Sequence, residues 1–173
     1  MFHKFSKPVS MALSCVLIVL LILLDQFTKQ LAVAHLMGQE DIILIRGVFQ
    51  LHYLENNGAA FSILKGQTSF FLIVTPILLI VLLVLLYRMP RDKRFSPLCY
   101  IIVFIIAGAI GNYIDRINYH YVVDFLYFSL IDFPVFNVAD CYVTCSVFLL
   151  ILLILFYYKD EDFDNLKLQI LGR

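Results

Sequence analysis

The sequence predicts an all-α membrane fold, a bundle of four transmembrane helices that carries a small β-rich element on its extracytoplasmic side. Three observations lead there. The 173 residues are 62% hydrophobic with a mean hydropathy of +0.90, more apolar surface than a soluble domain of this length can hide. Four apolar stretches, 11–34, 70–87, 98–117 and 138–158, each approach the ~20 residues that cross a hydrocarbon core as a helix. The connections also differ in charge: the link "RMPRDKR" carries Arg88, Arg91, Lys93 and Arg94, whereas 118–137 has no Lys or Arg. No internal repeat or long linker divides the chain, so a single integral membrane domain over 1–173 is expected.

The first stretch follows Lys4 and Lys7 and ends in Ala32-Val33-Ala34, which looks like a small-x-small cleavage site. Asp25 and Lys29 separate its apolar run from that pattern, so it is expected to stay in the protein rather than be cut as a signal peptide. In the loop 35–69, "VFQLHY" alternates Phe49, Leu51 and Tyr53 with Gln50 and His52, the period of a short strand. "ENNGAAF" then supplies Asn56 and Gly58 in a turn, followed by the small Ala59 and Ala60. The second stretch contains Pro76, which a membrane helix tolerates at the risk of a kink. After the third, "YVVDFLYFSLIDFPVF" is rich in aromatic and β-branched residues and reads as strand at the membrane interface. Asn137 stands where a cap of the fourth helix belongs. The excess of Lys and Arg in the 88–94 link puts that link and both termini in the cytoplasm, with loops 35–69 and 118–137 on the opposite side.

Zero net charge and the lack of a basic patch with interleaved aromatics give no sign of nucleic acid as a partner. Cys15, Cys99, Cys141 and Cys145 lie in or beside apolar runs and read as buried thiols rather than disulfides or metal ligands. The four histidines show no metal-ligand spacing, and no metal or cofactor is expected.

A charge inside a span costs about 2.5–3.5 kcal/mol, so intramembrane acids are functional candidates by default. Here they gather near the same ends of their helices. In "GAIGNYIDR", Gly108, Gly111, Asn112 and Asp115 share one helical face, with Arg116 a turn beyond Asn112. That pattern fits a packing seam closed by an interfacial ion pair as well as it fits a polar site. In "DQFTK", Asp25 and Lys29 form an i, i+4 pair that lowers the cost of both charges, and a structural role suffices for it. Asp140, in the first turn of the fourth helix, is adequately explained as a helix-terminus acid. Asp124 has no such explanation: it lies between Val123 and Phe125 in an apolar segment. The sixteen residues from Asp124 to Asp140, with Pro134 near their end, are able to turn and set the two carboxylates side by side. Two adjacent carboxyls share a proton, one activating water while the other protonates a carbonyl oxygen. The helix N-terminus favours charge on Asp140, and desolvation favours neutral Asp124.

Five blocks in order, "DQFTK", "NNGAAF", "GNYIDR", "VVDF" and "FNVAD", cover about two thirds of the chain, and in them the sequence resembles the lipoprotein signal peptidases (signal peptidase II) of bacteria. The resemblance implies a four-helix intramembrane aspartic endopeptidase that needs no cofactor. It would cleave prolipoproteins just before a cysteine already carrying diacylglycerol. Asp124 and Asp140 match the catalytic pair of the family; Asn56, Asn112, Arg116 and Asn137 match residues lining the substrate cleft. Asp25, Lys29 and Asp115 match supporting positions, and Gly58 falls within a matching block. The expected partners are lipidated prolipoprotein signal peptides and membrane lipids, the expected location is the bacterial cytoplasmic (inner) membrane, and the expected state is a monomer. Two departures stand out: Ala107 where many members have glycine, and His120-Tyr121 before "VVDF" where a glycine is common. "ALSC", ending at Cys15, looks like a lipoprotein motif, but its apolar run follows the cysteine instead of preceding it. A proton- or ion-coupled transporter also keeps membrane acids, yet four spans without paired repeats speak against one. A non-catalytic scaffold with polar packing motifs is the other rival.

Overall fold

Helix α1 (Lys7–Leu36) has Pro8 in its first turn, where the missing N–H leaves no bond unmade. The structure, a computed structural model, describes residues 5–58, 68–90 and 92–171. Ala59 and Ala60 of the first-loop motif lie outside them. At 30 residues α1 is about 45 Å long, well beyond a ~30 Å hydrocarbon core. The excess carries Asp25 and Lys29 toward one end of the bundle and places Ala32 and Leu36 beneath the sheet.

Helix α2 (Thr68–Arg88) continues through Pro76. Proline has no N–H to give the carbonyl four residues back, Leu72, and the Tyr113 hydroxyl donates to that oxygen at 3.3 Å instead. Helix α3 (Ser96–Tyr119) follows a 3₁₀ turn, Lys93–Phe95, which Asp92 caps by accepting from the Arg94 N–H at 2.8 Å. It touches α1, α2 and helix α4 (Val138–Phe156), and its Val103, Ile106 and Ala107 are fully buried. These four helices are long and apolar enough to cross a membrane. α2, and α4 beyond its first turns, are largely apolar all round and expose Ile73, Ile80 and Leu155, as helices surrounded by lipid do. That environment corrects the reading of the cysteines. Only Cys99 is buried; Cys15 and Cys145 sit on outward helix faces, where hydrocarbon removes the cost of exposing them.

The sheet is antiparallel in the order β1 (Ile42–Ile45), β2 (Phe49–Asn56), β3 (Val122–Tyr127). The aromatic segment does not run on as one strand. It leaves the sheet at Tyr127, makes a 3₁₀ turn at Ser129–Ile131 and reverses at Asp132, whose φ of 48° is left-handed and whose carboxylate accepts from the Tyr127 hydroxyl at 2.6 Å. Phe136 then pairs with Leu126 through N–H···O bonds of 2.8 and 3.0 Å. This return lays Asn137 alongside Asp124.

His120 caps α3 at φ 66°, the left-handed conformation that glycine adopts without steric penalty. The departure from the family pattern therefore falls on a backbone position, not on a reacting group. A fifth helix, α5 (Asp160–Leu171), was not legible as such. Its signals are three acids in the first turn and apolar residues at Phe163, Leu166 and Ile170 that pack under the bundle. Arg94 holds Asp162 with Nε and Nη2, and Arg88 donates to the Ile170 carbonyl at 3.1 Å.

Candidate active site

Two glycines of α3 set the distances. A Cβ on Gly108 would stand 2.6 Å from the Ala139 carbonyl oxygen, and one on Gly111 would stand 2.5 Å from Asp25 Oδ2. α1 and α4 thus approach α3 where it bears Asn112 and Asp115. The small-residue seam and the polar cluster, alternatives at the level of sequence, are one feature.

Beneath the site lies a buried ion cluster. Lys29 Nζ is 3.0 Å from both Asp25 Oδ2 and Asp115 Oδ2, with side-chain exposures of 3, 0 and 1% respectively. The intrahelical pair forms as spaced, yet each acid also reaches a distant backbone. Asp25 Oδ1 accepts from the Ala139 N–H at 2.9 Å, and Asp115 Oδ2 accepts from the Val123 N–H at 3.1 Å. Ala139 directly precedes Asp140, and Val123 directly precedes Asp124. One lysine therefore ties together the two backbone segments that present the opposed acids. Gln26, which sequence reasoning passed over, donates to both Asp25 Oδ2 and Asp115 Oδ1 at 3.2 and 2.9 Å. Its only signal is a polar side chain at the same depth.

Lys29 also orients an amide. It offers only donors, so Asn112 turns its Oδ1 toward Nζ, at 2.9 Å, and its Nδ2 toward Asp140 Oδ1, at 2.8 Å. Asn137 is fixed in the same way by a capping box: its Oδ1 accepts from the Asp140 N–H at 3.0 Å while its own N–H donates to Asp140 Oδ2 at 3.1 Å. Its Nδ2 is left to donate to Asp124 Oδ1 at 2.6 Å and to Asn112 Oδ1 at 3.1 Å. Asn56, whose Oδ1 accepts from the Gly58 N–H, donates Nδ2 to Asp124 Oδ2 at 2.8 Å. Arg116 stacks on Phe71 and donates to the Gly58 and Asn112 carbonyls at 2.9 and 3.3 Å, closing the ring. All ten residues singled out from the sequence fall in this one connected network. Asp124 is only 1% exposed; its desolvation, reinforced by the charge of Asp140, pushes its carboxyl up to about 7 against the Asn56 and Asn137 bonds that favour the anion. Two carboxyl groups, Asp124 buried and Asp140 half-buried, are joined through a single asparagine and surrounded by donors at the sheet end of the bundle.

Residues 17–156 match the family described as Signal peptidase (SPase) II. The chain belongs to the signal peptidase II family. It is similar to the lipoprotein signal peptidase of Streptococcus thermophilus strain CNRZ 1066, 44% identical over 147 residues that cover 85% of this chain and 93% of the relative. The enzyme of the same name from Streptococcus pyogenes serotype M5 is 40% identical over 148 residues, covering 86% and 94%. Among solved structures it resembles a bacterial membrane enzyme determined in meso at 2.3 Å resolution, with a TM-score of 0.71 and 33% identity over 83% of this chain and 88% of the other. This signal peptidase II is therefore a peptidase of a bacterial membrane, and all ten network residues lie inside the matched region. Helix α5 lies beyond it.

Proposed function

We propose that this signal peptidase II is an aspartic endopeptidase that removes the signal peptide from diacylglyceryl-modified prolipoproteins, cutting just before the lipidated cysteine. The bridge that Asn137 makes between Asp124 and Asp140 carries the reading, because it holds a buried and a half-buried carboxyl in one site with unequal surroundings. Asp140, which accepts from Asn112 and from the Asn137 N–H, is the ionised member and takes a proton from the attacking water. Asp124, the protonated member, gives its proton to the scissile carbonyl oxygen as the water oxygen bonds to the carbon. The tetrahedral diol collapses when Asp124 recovers that proton and Asp140 passes its own to the departing amide nitrogen. Arg116 and Asn56, which border the pair, bind the peptide backbone in this reading. Since one chain supplies every member of the network, a monomer suffices. Purified enzyme should cleave a diacylglyceryl-modified precursor and leave the same precursor without lipid intact; equal cleavage of both would refute the lipid requirement.

The sheet end faces the extracytoplasmic side in this reading, with both termini in the cytoplasm. The support is the contrast between the basic 88–94 link and the segment 118–137, which has no Lys or Arg. Ile131, 68% exposed in the turn after β3, reports on this. In a background with the four native cysteines replaced by alanine, Ile131→Cys should react with an impermeant maleimide added to intact cells. Reaction only after the membrane is opened means the orientation is reversed.

A further inference from the structure

At the end of the bundle opposite the aspartates, a cavity of about 740 Å³ opens between the start of α3 and the end of α4. Its mouth is formed by Lys93, Arg94 and Tyr157, and its walls by Tyr100 and Leu149. We propose that it binds an anionic phospholipid, headgroup at the mouth and acyl chain along the wall. The cavity is an open groove rather than an enclosed pocket. Its depth selects a lipid over a soluble anion: Leu149 stands seven residues before the end of α4, about 10 Å down the helix axis, and is 46% exposed on a face that lipid covers.

The charges at the mouth are of two kinds. Arg94 is answered by Asp162 and lies over the Tyr157 ring at 4.1 Å, so it shapes the opening more than it attracts an anion. Asp92 is occupied with the Arg94 N–H. Lys93 is exposed, and among the described residues no carboxylate lies in salt-bridge range of it. One uncompensated ammonium above an apolar groove between membrane helices fits a phosphate diester on an acyl chain. The orientation proposed above puts this mouth in the cytoplasmic leaflet, but the site is independent of the aspartyl chemistry.

The chain has no tryptophan, so a single introduced one reports its own lipid contacts. In Leu149→Trp, phosphatidylglycerol with dibrominated chains should quench fluorescence with about fivefold higher affinity than brominated phosphatidylcholine, the effect of one lysine near the headgroup. Phe148→Trp, on the neighbouring exposed face, should show no preference, and adding Lys93→Gln to Leu149→Trp should remove it. Equal quenching by the two lipids at position 149, or the same preference at 148, overturns the site. Protection from quenching by millimolar inorganic phosphate would show a soluble-anion site and also overturns it. If Leu149→Trp does not fold, native mass spectrometry of the unmodified enzyme decides: phosphatidylglycerol adducts should be lost in Lys93→Gln, and their full retention overturns the proposal.

Discussion

Replacing either Asp124 or Asp140 with asparagine is expected to lower precursor cleavage by about 10⁴-fold, to background, while the protein remains folded. An amide keeps the shape of the carboxyl and accepts through one oxygen where each acid accepts through two, but it neither takes a proton from water nor gives one to a carbonyl oxygen. Asp132→Asn should leave cleavage intact, since that acid only receives the Tyr127 hydroxyl at the turn beyond β3. Turnover within tenfold of the unmodified enzyme in either single variant would remove the pair from the mechanism. The pH dependence carries the same assignment. Asp124 must hold its proton to act, and its carboxyl titrates near 7, so kcat/KM of the free enzyme should fall as pH rises through about 7. The sign for stability follows. Between the ordinary value of 3.8 and about 7 the folded protein binds a proton at Asp124 that the unfolded chain releases, so this group's contribution to stability declines as pH rises through that window. Asp124→Asn should abolish that decline, and thermal melts from pH 5 to 8 measure it.

Lys29→Met should destabilise the enzyme by about 3–5 kcal/mol, the cost of leaving buried carboxylates without their cation. Asp25 and Asp115 are 0 and 1% exposed, and water cannot replace the ammonium between them. The loss should reach the site by two routes. The carboxylates that hold the Ala139 and Val123 N–H groups would repel each other, and Asn112 would lose the contact that aims its Nδ2 at Asp140. Chemical denaturation of the purified variant, with cleavage measured on its folded fraction, tests both. A variant as stable and as active as the parent would show that the cluster is inert. Pairing Lys29→Met with Asp115→Asn should recover part of the stability, because one buried charge is then removed along with its partner.

Much of the fold could be read locally. A run of about twenty apolar residues means the same thing wherever it sits, because a spanning helix satisfies its own backbone hydrogen bonds. The strand over Phe49 to Tyr53 followed from alternation, although it runs on to Asn56, and the cap at Asn137 followed from residue type and position. The break at Tyr127 was not legible: aromatic and β-branched residues continue to Phe136, and the reversal depends on Asp132 and on pairing back to Leu126. Helix α5 was missed for a similar reason, since it is short and its stability comes from Arg94, Arg88 and the underside of the bundle.

Within the site, residue type and spacing mark out polar groups at one membrane depth, in five spaced blocks, with Asp124 lacking a local purpose. They leave Asp140 adequately explained as a helix-terminus acid and Asp25–Lys29 as a self-contained pair, because both descriptions are true within their own helices. Long-range contacts make the capping asparagine grip Asp124 as well, and make Lys29 join the acids holding Val123 and Ala139. These bonds link residues far apart in the chain, several of them through backbone N–H groups that every residue but proline carries. Sequence periodicity records which face a side chain occupies; it carries no signal for which distant amide that side chain will meet.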